Sequence, residues 1–244
     1  MVYNYNMSSK PKIEFICDIP GLSQIEEIVP RQSKNYTPDW WKNIPAKENI
    51  PTIKMCPSFP DFFSSGYVVP MWQDVKLKYN KEDDQYYWEE AIPNTFLPVR
   101  IHQNKQFMSY VNNASVLGSN YNFIFKLESP WKIITSPGYS VLQLPLFYHF
   151  NNDFSALPGI IDSDITNTLN VQITYHKQGE DLIIERGTPL AMYFPFKREK
   201  YNFLVREKTK KDEKNFFISN LNIASKFVGS GQYRKMQAKR NRKN

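Results

Sequence analysis

Apolar and polar residues alternate through the middle of this 244-residue chain. In "YVVPMWQDVKLKYN" (67–80) Val75, Leu77 and Tyr79 fall on one side and polar residues on the other, the period of a half-buried strand. "NKEDD" (80–84) is a turn and "QYYWEEA" returns, so 67–91 reads as a hairpin. "LNVQITYHK" places Leu169, Val171, Ile173 and Tyr175 on one face. "EDLIIERGTPLAMYFPF" is a strand, a turn at Gly187 and a second strand, and "KIEFICDI" (12–19) is a short strand ended by Pro20-Gly21. The stretch "NFIFKLESPWKIITSPGYSVLQLPLFYHF" offers two or three strands broken at Ser129-Pro130 and Pro137-Gly138. The β texture starts near residue 52 with "TIKMCPSF", followed by a "PDFFSSG" turn. Short strands at such intervals predict a mainly β barrel or sandwich.

Two segments have a different period. In "YTPDWWKNIP" (36–45) Thr37 is a candidate N-cap and Pro38 a first helical residue, which predicts a short helix with Trp40 and Trp41 as packing anchors. After Arg198 the spacing of Phe217, Leu221, Ala224 and Val228 marks one helical face, ended by Gly229-Ser230-Gly231. The expected organisation is an N-terminal extension (1–51), a β-barrel domain (52–200) and a C-terminal helical basic extension (201–244).

Composition sharpens this picture. Seventeen prolines against nine glycines oppose long helices. No run of about 18 apolar residues predicts a transmembrane helix, so no membrane partner is expected. The start "MVYNYNMSSKPK" lacks the apolar core of a secretory leader, and Cys17 and Cys56 read as reduced thiols, both in keeping with a cytoplasmic protein. His102, His149 and His176 are scattered, which argues against zinc or non-haem iron; a metal held by carboxylates alone stays open.

The net charge is +7. Lys214, Lys226, Arg234, Lys235, Lys239, Arg240, Arg242 and Lys243 stand in residues 214–244 without an acidic residue, so the rest of the chain carries −1. Six of these charges, from Arg234 to Lys243, form a partner-binding candidate. Such a tail binds phosphate backbones without sequence preference, docks in an acidic groove of another protein, or serves only solubility. If it binds nucleic acid, affinity falls steeply between low and moderate salt and is lost on truncation after Gly229. A filter-binding titration across salt checks this, and salt-independent binding would exclude it.

The stretch with the most chemistry is "LPGIIDSDITNTLNVQITY" (157–175), where Asp162 and Asp164 precede a strand. Aspartates at such a junction commonly accept backbone N–H bonds and fix a turn; they also supply a general base or water-holder. His149 and His176 flank them as candidate proton shuttles. Among other features, Tyr67, Trp72 and Asp74 read as pocket-lining or core residues. "YYWEE" (86–90) stacks bases or packs, and "EDD" (82–84) is a solvated loop.

Three pieces of residues 137–196 resemble the dUTPase and dCTP deaminase family: Pro137-Gly138-Tyr139, Gly159-Ile160-Ile161-Asp162-Ser163-Asp164, and Gly187-Thr188-Pro189-Leu190-Ala191-Met192. Their order and spacing match that family over about a quarter of the chain. The resemblance implies a compact β-barrel, often trimeric, with sites between subunits and Asp162 at the position of the aspartate that holds the attacking water. It also exposes departures. Ile165 stands where the family has a tyrosine against deoxyribose, and Leu146-Phe147 where it has an Arg-Ser phosphate grip. No arginine lies between residues 101 and 185, so phosphate ligands would have to be Lys126, Lys132 or Lys177, or arginines of another segment or subunit. The whole chain, with its "PDWW", "CPSF" and "GYVVPMWQD" segments, is also similar to proteins of tailed phages that infect marine bacteria.

The first reading is therefore a non-enzymatic viral protein that uses a dUTPase-like barrel as an assembly scaffold. It acts as a homo-oligomer, with a trimer implied by the resemblance, in the host cytoplasm during infection or in the virion. It needs no cofactor, and its partner is a viral protein or a nucleic acid met by the C-terminal tail. A second reading is a divergent nucleotide hydrolase or deaminase with Asp162 as base and Mg²⁺ as its metal. A cationic side chain beside Asp162 would favour that reading, and apolar surroundings would oppose it. The nucleic-acid binder is the third.

Overall fold

The computed structural model describes residues 10–45, 52–56, 58–89, 99–102, 124–177 and 179–227. In chain order its strands are β1 (Ile13–Cys17), β2 (Arg31–Gln32), β3 (Tyr67–Pro70), β4 (Val75–Asn80), β5 (Gln85–Glu89), β6 (Val99–His102) and β7 (Ile124–Thr135). They continue with β8 (Tyr139–Leu144), β9 (Phe154–Ala156), β10 (Gly159–Ile161), β11 (Thr168–Tyr175), β12 (Leu182–Ile184) and β13 (Pro189–Lys197). The helices are α1 (Asp39–Lys42), α2 (Ser58–Phe63) and α3 (Lys210–Phe227). The fold is mainly β, as the alternation predicts.

Three antiparallel sheets form. The first runs β1-β7-β11-β9 with β6 also on β7, the second β10-β8-β13-β3-β2, and the third β12-β4-β5. Side chains from all three meet in one cluster, including Leu77 and Tyr86, Phe125 and Ile173, and Val141 and Tyr193. The predicted face of β11 is buried throughout, with Leu169, Val171 and Ile173 fully enclosed. Inside the second sheet the Tyr193 hydroxyl donates to Gln143 Oε1 at 2.8 Å, and Gln143 Nε2 donates to the Leu157 carbonyl at 2.8 Å. Burial alone pushes the Tyr193 phenol well up from its ordinary value, so it stays a donor.

Four local expectations are corrected. Pro130 does not break its strand: β7 continues through Ser129-Pro130 for twelve residues. Along one edge of β7, β1 pairs with Trp131 to Thr135 and β6 with Ile124 to Leu127, leaving Pro130 between two ladders. On the other edge the β11 register shifts between Thr168 and Asn170, opposite the same place. A residue without an N–H is tolerated at such a bulge. Secondly, the β texture expected from residue 52 is helical instead, as a 3₁₀ turn (Ile53–Met55) and α2. Pro60 sits in the first turn of α2, where no intrahelical donor is required. Thirdly, the hairpin comprises only β4 and β5, because β3 crosses to the second sheet and pairs with β13 and β2. Lastly, Pro38 rather than Thr37 holds the N-cap position of α1, with extended dihedrals and Asp39 following.

The chain divides into two compact units, one from residues up to Tyr36 plus Gly66–Arg198, the other from Thr37–Ser65 plus the residues after Arg198. The first unit holds the sheets, with β1 and β2 of the N-terminal segment among them. In the second, Trp41 is buried and stacks on Phe59 with ring centroids 5.4 Å apart, while Phe63 tilts against it at 5.2 Å. Helix α3 begins with a cap of its own. Thr209 Oγ1 and N–H both donate to Asp212 Oδ2, and Arg206 takes both carboxylate oxygens of Asp212. These donors hold the Asp212 carboxyl well below the usual carboxylate range, the arginine foremost. No helix among the described residues is long and apolar enough to cross a membrane. The helix end expected at Gly229-Ser230-Gly231 and the basic residues Arg234, Lys235, Lys239, Arg240, Arg242 and Lys243 lie outside the described residues.

Candidate functional site

Strand β8 organises the site because it lies between β10 and β13. Ile161 pairs with Val141 on one side, so the chain leaving β10 carries Asp162 to Ser140. Phe196 pairs with Ser140 and Lys197 with Tyr139 on the other, so Arg198 arrives beside Gly138. The Arg198 N–H donates to the Gly138 carbonyl at 2.8 Å and fixes that arrival. Two aspartates and one arginine thus converge on the first residues of β8.

The Arg198 guanidinium reaches across the strand to both carboxylates. Its Nη1 donates to Asp164 Oδ1 at 2.8 Å and to Asp162 Oδ1 at 3.1 Å, while Nη2 donates to Asp164 Oδ2. Nη1 also meets the Ser140 hydroxyl oxygen at 2.9 Å, and that hydroxyl donates to Asp162 Oδ1 at 2.6 Å. Gly138 N–H adds a 2.8 Å bond to Asp164 Oδ2; its φ of +82° is the left-handed turn that aims this donor. Between the aspartates, Ser163 is fully buried, and its hydroxyl pairs with Thr135 Oγ1 at 2.7 Å. The Asp162 carbonyl accepts from Ile165 and Thr166 N–H and closes the turn into β11.

The two aspartates differ in setting. The Asp164 side chain is 9% exposed and grips Arg198 with both oxygens; that of Asp162 is 52% exposed. The Arg198 guanidinium first, and the Gly138 N–H with it, hold the Asp164 carboxyl below the usual carboxylate range against the opposing effect of desolvation. The cluster of two carboxylates and one guanidinium carries one net negative charge. Of the donors on Arg198, Nε–H and the second hydrogen of Nη2 meet no acceptor among the described residues.

The predicted cationic candidates are elsewhere. Lys126 pairs with Glu128, Lys132 with Asp18 and Lys177 with Asp153. Arg198, absent from the residues singled out in the sequence, takes the place sought for them. Its signal was the pairing register, which sets residue 198 opposite Gly138. His149 and His176 make no hydrogen bond to Asp162 or Asp164, and burial pushes the His149 imidazole down, away from the charged form. Leu146-Phe147 lies in the loop after β8, where Tyr148 and Phe150 take φ of 67° and 52° and Phe147 and Phe150 are exposed. Ile165 is 77% exposed. Asp74 accepts from the Arg186 N–H at 2.7 Å, Trp72 is buried, and Asp83 and Asp84 accept from Tyr87 and Tyr79, so these positions hold the fold together.

Among the described residues no group of three or more His, Cys, Asp and Glu side chains is placed to hold a metal. The Asp pair does not fit a divalent cation either, because both Asp164 oxygens and one of Asp162 already accept from a guanidinium that would repel it.

No family model matches the chain, and no curated protein does. Among solved structures it is similar to the native dUTPase of EIAV, at 11% identity and a TM-score of 0.32, covering 60% of this chain and 86% of that one. It is also similar to a mutant dUTPase from phage phi11 of S. aureus, a structure describing the coordination of a structural Mg(II) ion. There the identity is 9% and the TM-score 0.37, over 82% of this chain and 99% of that one. Both scores are low, so the roles of Asp162, Asp164 and Arg198 rest on their own geometry.

Proposed function

We propose that the chain is a non-catalytic scaffold protein, a β body with an appended C-terminal arm that assembles with copies of itself or with other viral proteins. The observation that carries this reading is the Asp162–Arg198–Asp164 latch. A carboxylate that activates water needs a free lone pair and room for the reactant. Here Asp164 is enclosed and accepts on both oxygens, and Asp162 Oδ1 is taken by Ser140 and Arg198, so that only the half-exposed Asp162 Oδ2 is without a donor among the described residues. Leu146-Phe147 offers no phosphate ligand, and the net negative cluster repels a triphosphate. A phage setting, in the host cytoplasm or the virion, and a trimeric state belong to the same proposal, and the likeness of the "PDWW", "CPSF" and "GYVVPMWQD" segments to tailed-phage proteins supports the setting. Incubation of the purified chain with each deoxynucleoside triphosphate and Mg²⁺ is expected to give no turnover above the background reaction. Turnover abolished by Asp162→Asn would end this reading.

One observation favours the second reading, a nucleotide-directed enzyme. A guanidinium does stand at Asp162, and its Nε–H points to no acceptor among the described residues. If a triphosphate drew Arg198 away from the aspartates, Asp162 would be released as a base. That reading expects Arg198→Lys, which keeps charge but loses the planar fork, to raise KM for the nucleotide more than it lowers kcat.

A further inference from the structure

The chain after Arg198 differs in chemistry from the sheets. Residues 199–244 hold thirteen lysines and arginines against four acidic residues, a net charge of +9, which leaves −2 for the rest. Six of those charges belong to Arg234–Lys243; the described residues before them add cations in a different setting. Arg206 and Lys208 are used within the segment, paired with Asp212 and Glu213. Lys200, Lys210, Lys211 and Lys214 make no ion pair or hydrogen bond among the described residues. Three of these four stand in the first five residues of α3, where the positive end of the helix dipole disfavours cations. The helix itself gains nothing from them.

Large apolar side chains stand in the open among these lysines. Tyr201 and Phe203 are 84 and 87% exposed in the segment before α3, and Phe216 and Phe217 are 54 and 64% exposed within it. Helical spacing sets cations and aromatics on one face. Lys210 and Lys214 lie seven and three residues before Phe217, and Lys211 and Lys214 seven and four before Ile218. The loop after β8 also exposes aromatics, at Phe147, Tyr148 and Phe150, but no lysine or arginine lies between residues 133 and 176. Bare rings and unneutralised cations meet in residues 200–217.

We infer that residues 200–217 bind single-stranded nucleic acid, with Tyr201, Phe203, Phe216 and Phe217 stacking on unpaired bases and the four lysines meeting phosphates. A single strand offers an anionic backbone together with open base faces, and stacking accepts any base. A duplex answers the lysines alone, because its bases are already stacked on one another. An anionic bilayer is a poorer match. It takes a helix with apolar groups on one face and cations on the other, whereas here the two kinds share a face. A second copy of the segment is also a poorer match, since joining these faces would bring like charges together. The inference goes beyond the scaffold reading and makes no use of the Asp162–Arg198–Asp164 cluster.

The experiment titrates the full chain with a fluorescent single strand of about 30 nucleotides and mixed sequence, and with a duplex of equal length, across salt. The single strand is expected to bind more tightly, although charge alone would favour the duplex with its denser phosphates. The double variant Tyr201→Ala and Phe203→Ala is expected to weaken single-strand binding at least about tenfold and duplex binding less than about twofold. Changing Lys210, Lys211 and Lys214 to glutamine, a comparable helix former, is expected to weaken both. It is also expected to lower the slope of log affinity against log salt by about 2 for the single strand. All five side chains are exposed, so circular dichroism is expected to be unchanged. Arg234–Lys243 is intact in every variant, so its contribution cancels. A chain that binds neither ligand overturns the inference, as does one that prefers the duplex and is indifferent to the aromatic substitutions. Flotation with phosphatidylserine vesicles and sedimentation complete the set. Vesicle binding or self-association that the double variant abolishes, without single-strand binding, overturns it in favour of a bilayer or a second copy. None of these outcomes concerns nucleotide turnover, so failure here is distinguishable from failure of the scaffold reading.

Discussion

Asp164→Asn is expected to destabilise the β unit by about 1–3 kcal/mol, measured as a lowered denaturation midpoint at neutral pH. The substitution keeps the shape and removes the charge that faces Arg198, while the amide presents an N–H where an acceptor is needed. Asp162→Asn, half exposed and sharing a single oxygen, is expected to stay within about 1 kcal/mol. The pH dependence has a definite sign. The folded Asp164 carboxyl titrates below its unfolded value, so the unfolded chain binds its proton first as pH falls. The latch contribution is complete above the unfolded carboxylate value of about 4 and is lost as pH falls from there through the lower folded value. Urea titrations of wild type at pH 7 and pH 3 are expected to show that loss, and Asp164→Asn is expected to flatten it. Equal slopes in both proteins would show that the latch is not coupled to folding.

Gly66→Ala is expected to cost about 3 kcal/mol or more, from two additive causes. Gly66 has φ of +73°, and a Cβ there would lie 2.6 Å from the Tyr193 carbonyl oxygen and 3.0 Å from Phe194 Cδ1. The neighbouring atom is backbone of β13, held by β3 and β8 on its two sides, so it has nowhere to move. Thermal unfolding monitored by circular dichroism checks this, with Gly21→Ala as the control. Gly21 has a similar φ of +80° and open space around its Cβ direction, so it carries the dihedral cost without the collision.

Strands with one buried face were legible in the sequence because their side chains report burial directly. Val75, Leu77, Val171 and Ile173 alternate and are buried as read. What failed was wherever backbone pairing, rather than side-chain type, decides. Pro130 reads as a strand end, yet its missing N–H falls between the β1 and β6 ladders, and no local pattern records that gap. Pro60 and its aromatic neighbours read as the turn after a strand and belong to a helix, with Pro60 in its first turn. The aspartates were found and their partner was not, because Arg198 lies 34 residues beyond Asp164 and reaches it only through the register of two ladders.

The position of the latch also bears on how the molecule is made. A nascent or clipped polypeptide ending short of residue 198 would bring two carboxylates together at β8 with no counter-ion, so the last ladder would fray where its terminal clasp is wanting. Fragments of the body are therefore expected to be more stable when they extend through Arg198 than when they stop short of it.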